Sequence, residues 1–172
     1  MTEAAAAPRR WSPRFTKNLI GASLLIALTG ATYVQATYAV GLDLQSARCL
    51  PWVAYLIKKN AVATVERGDV YALRFGGDSQ LENRTLLKIA AGLPGDAVQL
   101  DRRGVWINNR YWGPMHPAQV DRLVAAGRNP FTNLVIPPGK LLMLGTLPQS
   151  YDSRYVGLID RTAIEGKAVP LW

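Results

Sequence analysis

Reactive side chains are scarce in this sequence. It has a single cysteine, Cys49, and a single histidine, His116, so no intramolecular disulfide can form and no paired spacing exists to build a zinc site. No Gly-Lys-Ser or Gly-Lys-Thr ending follows a glycine-rich turn, which excludes a phosphate loop of that kind. The net charge is +8, yet no run of basic residues interleaved with aromatics occurs, so a nucleic-acid groove is not expected. The first 18 residues carry +3 of this charge and the remainder, spread out, +5; contact with anionic lipid headgroups is the use it fits. No cofactor-binding pattern is recognised. Internal repeats, low-complexity tracts and flexible linkers are also lacking, which leaves one domain of about 130 residues behind the N-terminal segment.

Charge is absent altogether from Asn18 to Leu42, and Leu19 to Val34 is almost wholly apolar, against the roughly 20 residues a helix needs to cross a bilayer. Arg9, Arg10, Arg14 and Lys17 precede it, so the positive-inside rule keeps residues 1–17 in the cytoplasm, makes 18–42 a signal anchor and exports 43–172. Three other readings were weighed. Val34-Gln35-Ala36 offers small residues for a cleaved signal. A lipoprotein site at Cys49 is opposed by Asp43 and Arg48, and a buried core helix by the basic leader.

Behind the anchor the pattern is of short strands with turn punctuation: Val53 to Ile57, Val62 to Val65, Val70 to Phe75, Leu86 to Ala91, Val98 to Leu100, Val105 to Ile107, Arg110 to Trp112, Leu134 to Ile136, Leu141 to Leu144 and Ala163 to Leu171. Pro94-Gly95 suits a type II turn, and Asn108-Asn109 a hairpin. One helical insertion interrupts them, Pro117 to Gly127, with Val120, Leu123 and Val124 on one stripe. The class is mainly β.

Lys88 lies inside the apolar run Leu86 to Ala91, where alternation sets Leu86, Lys88 and Ala90 on one face and Leu87, Ile89 and Ala91 on the other. Burial disfavours the charged form of an amine, and a neutral amine is a general base. The alternative is an edge-strand lysine whose stem packs while its head reaches water. Cys49 supplies a thiol, a nucleophile easier to generate than an alcohol; the alternative there is a small buried hydrophobe beside Pro51.

Three motifs taken together resemble the leader (type I signal) peptidase family, and more closely its conjugative-pilin-processing branch: Cys49-Leu50-Pro51 after a membrane segment, Lys88 followed by Gly92-Leu93-Pro94-Gly95-Asp96, and Ser150-Tyr151-Asp152-Ser153-Arg154-Tyr155-Val156-Gly157. The resemblance implies a β-barrel catalytic domain on one transmembrane helix in the bacterial inner membrane, with the domain in the periplasm. It implies a nucleophile two residues before the proline, hence Cys49, a thiol where the family usually has a hydroxyl; Ser46, five before Pro51, is the alternative nucleophile. It further implies Lys88 as general base, Asp152 in activity, and Ser150 and Arg154 in support. Alternation would place Ser150, Asp152 and Arg154 on one face if that segment is a strand.

The substrate implied is an exported protein, a conjugative pilin precursor, with the lipid bilayer and other secretion-system components as further partners. A pilin cyclase would use the same acyl-enzyme, and a non-catalytic assembly component would keep the fold alone. A sortase-like reading with Cys49 and His116 was also weighed, but there the histidine precedes the cysteine, and here it follows.

Overall fold

The computed structural model describes residues 11–44, 48–59, 63–74 and 85–171. They form two compact units, one ending at Thr37 and one beginning at Tyr38.

In the first unit, Ser12 opens helix α1 (Pro13–Thr37): its Oγ accepts from the Phe15 N–H at 3.2 Å, and proline occupies the first helical position, where a missing N–H costs nothing. Twenty-five residues rise about 37 Å, more than the roughly 30 Å of a bilayer's hydrocarbon core. None of its side chains is buried, and it is long and apolar enough to cross a membrane. The uncharged run continues to Leu42, but the helix stops five residues earlier, at Thr37. Tyr38–Leu42 is instead strand β1, whose aromatic, β-branched and glycine residues suit a pleated ribbon better than a helix.

The second unit is mainly β. Strands β2 (Ala54–Lys59), β3 (Val70–Arg74), β4 (Thr85–Gly92), β9 (Lys140–Leu144), β10 (Ile159–Asp160) and β11 (Ile164–Pro170) join β1 in a seven-stranded antiparallel sheet ordered β1-β2-β11-β3-β4-β9-β10. Strands β5 (Ala97–Asp101), β6 (Gly104–Ile107), β7 (Arg110–Gly113) and β8 (Thr132–Val135) make a second sheet ordered β7-β6-β5-β8. Helix α2 (Pro117–Ala125) lies between β7 and β8 in sequence, as the proline and terminal glycine led one to expect. Val120 is buried and Leu123 packs beside it, whereas Val124, expected on the same stripe, is exposed. The larger sheet coils like a barrel wall: a Cβ at Gly41 in β1 would lie 3.8 Å from Leu87 Cδ1 in β4, although β2, β11 and β3 separate the two strands in the ladder.

Both faces of the central strands are buried. Val70, Ala72 and Ile89 pack in one cluster with Leu50, Tyr55 and Ile57, while Tyr71, Leu73 and Ala90 pack in another with Leu141 and Met143. Ala91 departs from the alternation expected of β4 and joins a third cluster, with Val98 and Leu142. The cause is a register shift between Ala90 and Gly92, an irregularity that turns the strand end toward the second sheet. The strand expected over Val62 to Val65 does not form at Ala63–Val65; Val62 and Phe75 lie outside the described residues.

The turn after β4 is built as its sequence requires. Gly95 takes φ +92°, and the Asp96 N–H donates to the Leu93 carbonyl at 3.0 Å, which closes a proline-glycine turn with a positive dihedral at its third position. Asn108 and Asn109, at φ 51° and 62°, make the β6–β7 hairpin in the same left-handed manner.

Asp96 is buried and pins this region. It accepts from the Leu93 N–H (2.6 Å), Asn108 Nδ2 (2.7 Å) and Arg67 Nη2 (2.7 Å to each oxygen). Burial works against its charge, but these three donors outweigh it and hold the carboxyl below its ordinary range. Asp96→Asn leaves the donors facing one amide oxygen and is expected to cost about 2 kcal/mol. A lowered folded-state pKa stabilises above the unfolded value and loses that contribution as pH falls through the folded value. Thermal unfolding of the full chain in detergent should therefore show a constant gap between wild type and Asp96→Asn above about pH 4, closing on further acidification. A gap that persists unchanged to about pH 2 would refute this account.

Candidate active site

Two side chains from distant segments line one cavity of about 310 Å³: Cys49, just before β2, and Lys88 of β4. Its walls are β1 residues Ala39 to Leu42 on one side and Thr85 to Leu87 on the other, with Leu50 and Ile57 as floor. Lys88 pairs with Tyr71 of β3, and at 2% exposure its head does not reach water, which retires the reading of a lysine whose stem packs while its head is solvated. It takes part in none of the ion pairs found among the described residues. A buried amine with no carboxylate partner is costly, and such a cost is tolerated at sites where the amine has chemistry to do.

Cys49 is partly exposed and free. Leu50, 2% exposed, anchors the chain directly after it in the core, and Pro51 restricts the next dihedral. Tyr55 is buried beside this segment and donates to the Trp52 carbonyl at 3.1 Å. Burial, helped by the nearby Asp43 charge, pushes its phenol up to about 12, so it stays protonated at neutral pH and is a donor, not a base. Ser46 lies outside the described residues.

Gly145, at the end of β9, is where the motifs meet. Ile89 pairs with Leu144, the last residue of β9, so Gly145 follows just beyond the end of the ladder nearest Lys88. A Cβ at Gly145 would overlap Ser150 Oγ and lie 2.9 Å from the Cys49 carbonyl oxygen. Only a residue without a side chain lets the nucleophile loop and the C-terminal motif approach so closely. Ser150 is buried there, with a hydroxyl that has no hydrogen-bond partner among the described residues. The sequence offered no signal for Gly145 beyond a glycine after an apolar strand.

The C-terminal motif is not a strand, so the shared face expected for Ser150, Asp152 and Arg154 does not exist. Asp152 caps helix α3 (Ser153–Val156), accepting from the Arg154 N–H at 3.1 Å, and this local side-chain bond replaces an extended ladder. One edge of β9 is satisfied piecewise: β10 pairs at Leu141, Ser153 Oγ accepts from the Met143 N–H at 2.9 Å, and Asp152 Oδ2 accepts from the Gly145 N–H at 2.8 Å.

Asp152 and Arg154 form a fully buried pair at 2.7 Å. Arg154 Nη2 also donates to the Gly145 carbonyl at 2.6 Å, and Nη1 to the Pro114 carbonyl at 3.2 Å. Both oxygens of Asp152 are thereby occupied, and it does not line the Cys49–Lys88 cavity. The pair grips both polar groups of the Gly145 backbone.

His116 is not brought to Cys49. It precedes α2, its N–H donates to Tyr155 Oη at 2.8 Å, and it is absent from the cavity lining, which removes the geometric basis of a sortase-like arrangement.

A family model described as signal peptidase, peptidase S26, matches residues 14–172. The conjugal transfer protein TraF of Agrobacterium fabrum strain C58 is 34% identical over 89 residues, 51% of this chain and 48% of that protein. The chain thus aligns with about half the length of this curated relative. The crystal structure of a signal peptidase I from Enterococcus faecalis V583 aligns at 24% identity with a TM-score of 0.40, covering 62% of this chain and 98% of that one.

Proposed function

The chain belongs to the signal peptidase family, peptidase S26, and from that premise we propose that it is a membrane-anchored endopeptidase cutting an exported protein with Cys49 as nucleophile and Lys88 as general base. The observation that carries the proposal is the single cavity lined by both residues.

The steps balance simply. Lys88 takes the proton of the Cys49 thiol as sulfur attacks the scissile carbonyl carbon; the oxyanion meets the Cys49 backbone N–H. Collapse breaks the C–N bond, and the Lys88 ammonium returns its proton to the departing amine. A thioester remains. Water resolves it to an acid, or an amine resolves it to a new peptide bond, so hydrolysis and cyclisation share everything up to this point.

Substrate enters as a strand. Among the described residues β1 pairs only with β2, and Thr85–Lys88 only with β3, so two unpaired edges border the cavity. An extended peptide between them gains backbone hydrogen bonds and sets alternate side chains into shallow apolar pockets, which favours small residues. The family resemblance assigns Ser150 the support of Lys88, for which its unengaged hydroxyl is available, while Asp152 and Arg154 are positioning residues that hold Gly145. With α1 as anchor and the basic leader in the cytoplasm, the catalytic unit works on the outer face of the bacterial inner membrane, in the periplasm. A substrate in a conjugative transfer system, a pilin precursor, is supported by the branch resemblance and by the relative's role in conjugal transfer.

Mass analysis of a precursor co-expressed with the full chain tests this. A product lighter by its leader is expected; loss of one further water identifies the cyclase outcome, and an unchanged precursor would leave only a non-catalytic assembly role.

A further inference from the structure

The Cys49 carbonyl accepts two hydrogen bonds from one residue: the Thr146 N–H at 2.8 Å and the Thr146 hydroxyl at 3.0 Å. A carbonyl oxygen has two lone pairs, so both are engaged, and the peptide plane between Cys49 and Leu50 can neither tilt nor rotate without losing one. The residue that holds it is itself held, because Gly145, its neighbour, has its N–H bound by Asp152 and its carbonyl by Arg154. A continuous path therefore runs from the buried Asp152–Arg154 pair through Gly145 and Thr146 to the backbone of Cys49.

Thr146 itself is exposed, unlike the rest of this path. A hydroxyl bond on an exposed residue exchanges readily with water and adds little to stability. Its consequence is geometric. The plane it fixes is attached to the Cys49 Cα and restrains ψ there, one of the torsions that together with φ and χ1 place the Cβ–Sγ bond and the N–H that meets the oxyanion. From this we infer that Thr146 is a positioning residue for the nucleophile, an inference that rests on the reading of Cys49 above. The family motifs recognised in the sequence do not include it.

The test uses the full chain in detergent micelles and, as substrate, precursor purified from cells expressing the Cys49→Ala chain. Thr146→Val keeps the shape and the backbone N–H but removes the hydroxyl bond. It is expected to lower kcat about tenfold, a loss of the size a small misalignment of reacting groups produces, with KM within about twofold of wild type and the melting temperature nearly unchanged. Thr146→Ser restores the hydroxyl and should recover most of the rate. Alkylation of Cys49 by a small thiol reagent, which needs no alignment with a carbonyl, should proceed at the wild-type rate in both variants.

A wild-type kcat for Thr146→Val, a loss confined to KM, or a failure of serine to rescue would each overturn the inference while leaving the nucleophile assignment standing. Cells expressing Cys49→Ala that accumulate no precursor would overturn the assignment itself, and the inference with it.

Discussion

Cys49→Ala is expected to stop processing while the chain folds normally, with the precursor accumulating at full length. The side chain is partly exposed and has no disulfide partner, so replacing a thiol by a methyl group removes little packing. The chemical loss is far larger. Removing a nucleophile from a site that works as a unit costs on the order of 10⁵- to 10⁶-fold in kcat, the remainder coming from binding and oxyanion stabilisation.

Cys49→Ser separates the chemistry from the scaffold. A hydroxyl is far less acidic than a thiol and leans harder on its base, so weak but measurable processing is expected. Ser46→Ala should be nearly silent. Turnover by Cys49→Ala at the wild-type rate, or an acyl group trapped on Ser46, would show that the proline spacing points to the wrong residue.

Lys88→Arg is expected to abolish processing although it preserves positive charge. A guanidinium stays protonated under all conditions in which the protein folds and cannot accept the thiol proton. Its greater bulk also has to fit where Lys88 is 2% exposed, beside β3. Lys88→Met answers the objection that arginine merely disrupts the fold. It keeps the length and apolar stem of lysine and removes a buried amine that joins no ion pair among the described residues. The Lys88→Met chain is therefore expected to melt at or above the wild-type temperature, with kcat down about 10²- to 10⁴-fold, the range for loss of a general base. Near-normal turnover by Lys88→Arg would remove the general base from the proposal.

Asp152 cannot be tested by the same logic. Truncating one partner of its fully buried pair with Arg154 strands the other charge and costs about 3–5 kcal/mol, so lost activity would follow from lost structure. Its role must be read through residues such as Thr146, whose side chain is exposed and separable from the core.

What the sequence by itself determined was whatever depends on neighbours along the chain. A long uncharged apolar run is enough to announce α1, apolar alternation marks β3 to β6, and Pro94-Gly95 and Asn108-Asn109 carry the dihedral preferences of their own turns. Three short motifs in order also sufficed to place the chain in its family, which the match over residues 14–172 bears out.

Only the tertiary structure decided the rest. The residues of Tyr38–Leu42 suit a strand, but nothing local in an uncharged run names β2 as the partner that completes it. Ser150 to Val156 alternates plausibly as a strand, yet Asp152 captures the Arg154 N–H and reaches Gly145, trading a ladder for side-chain bonds whose partners lie outside the segment. Gly145 and Thr146 carry no motif at all. They matter because the packed sheet brings Cys49 and Ser150 against Gly145 and sets Cys49 and Lys88 in one cavity, a convergence invisible to any window along the chain.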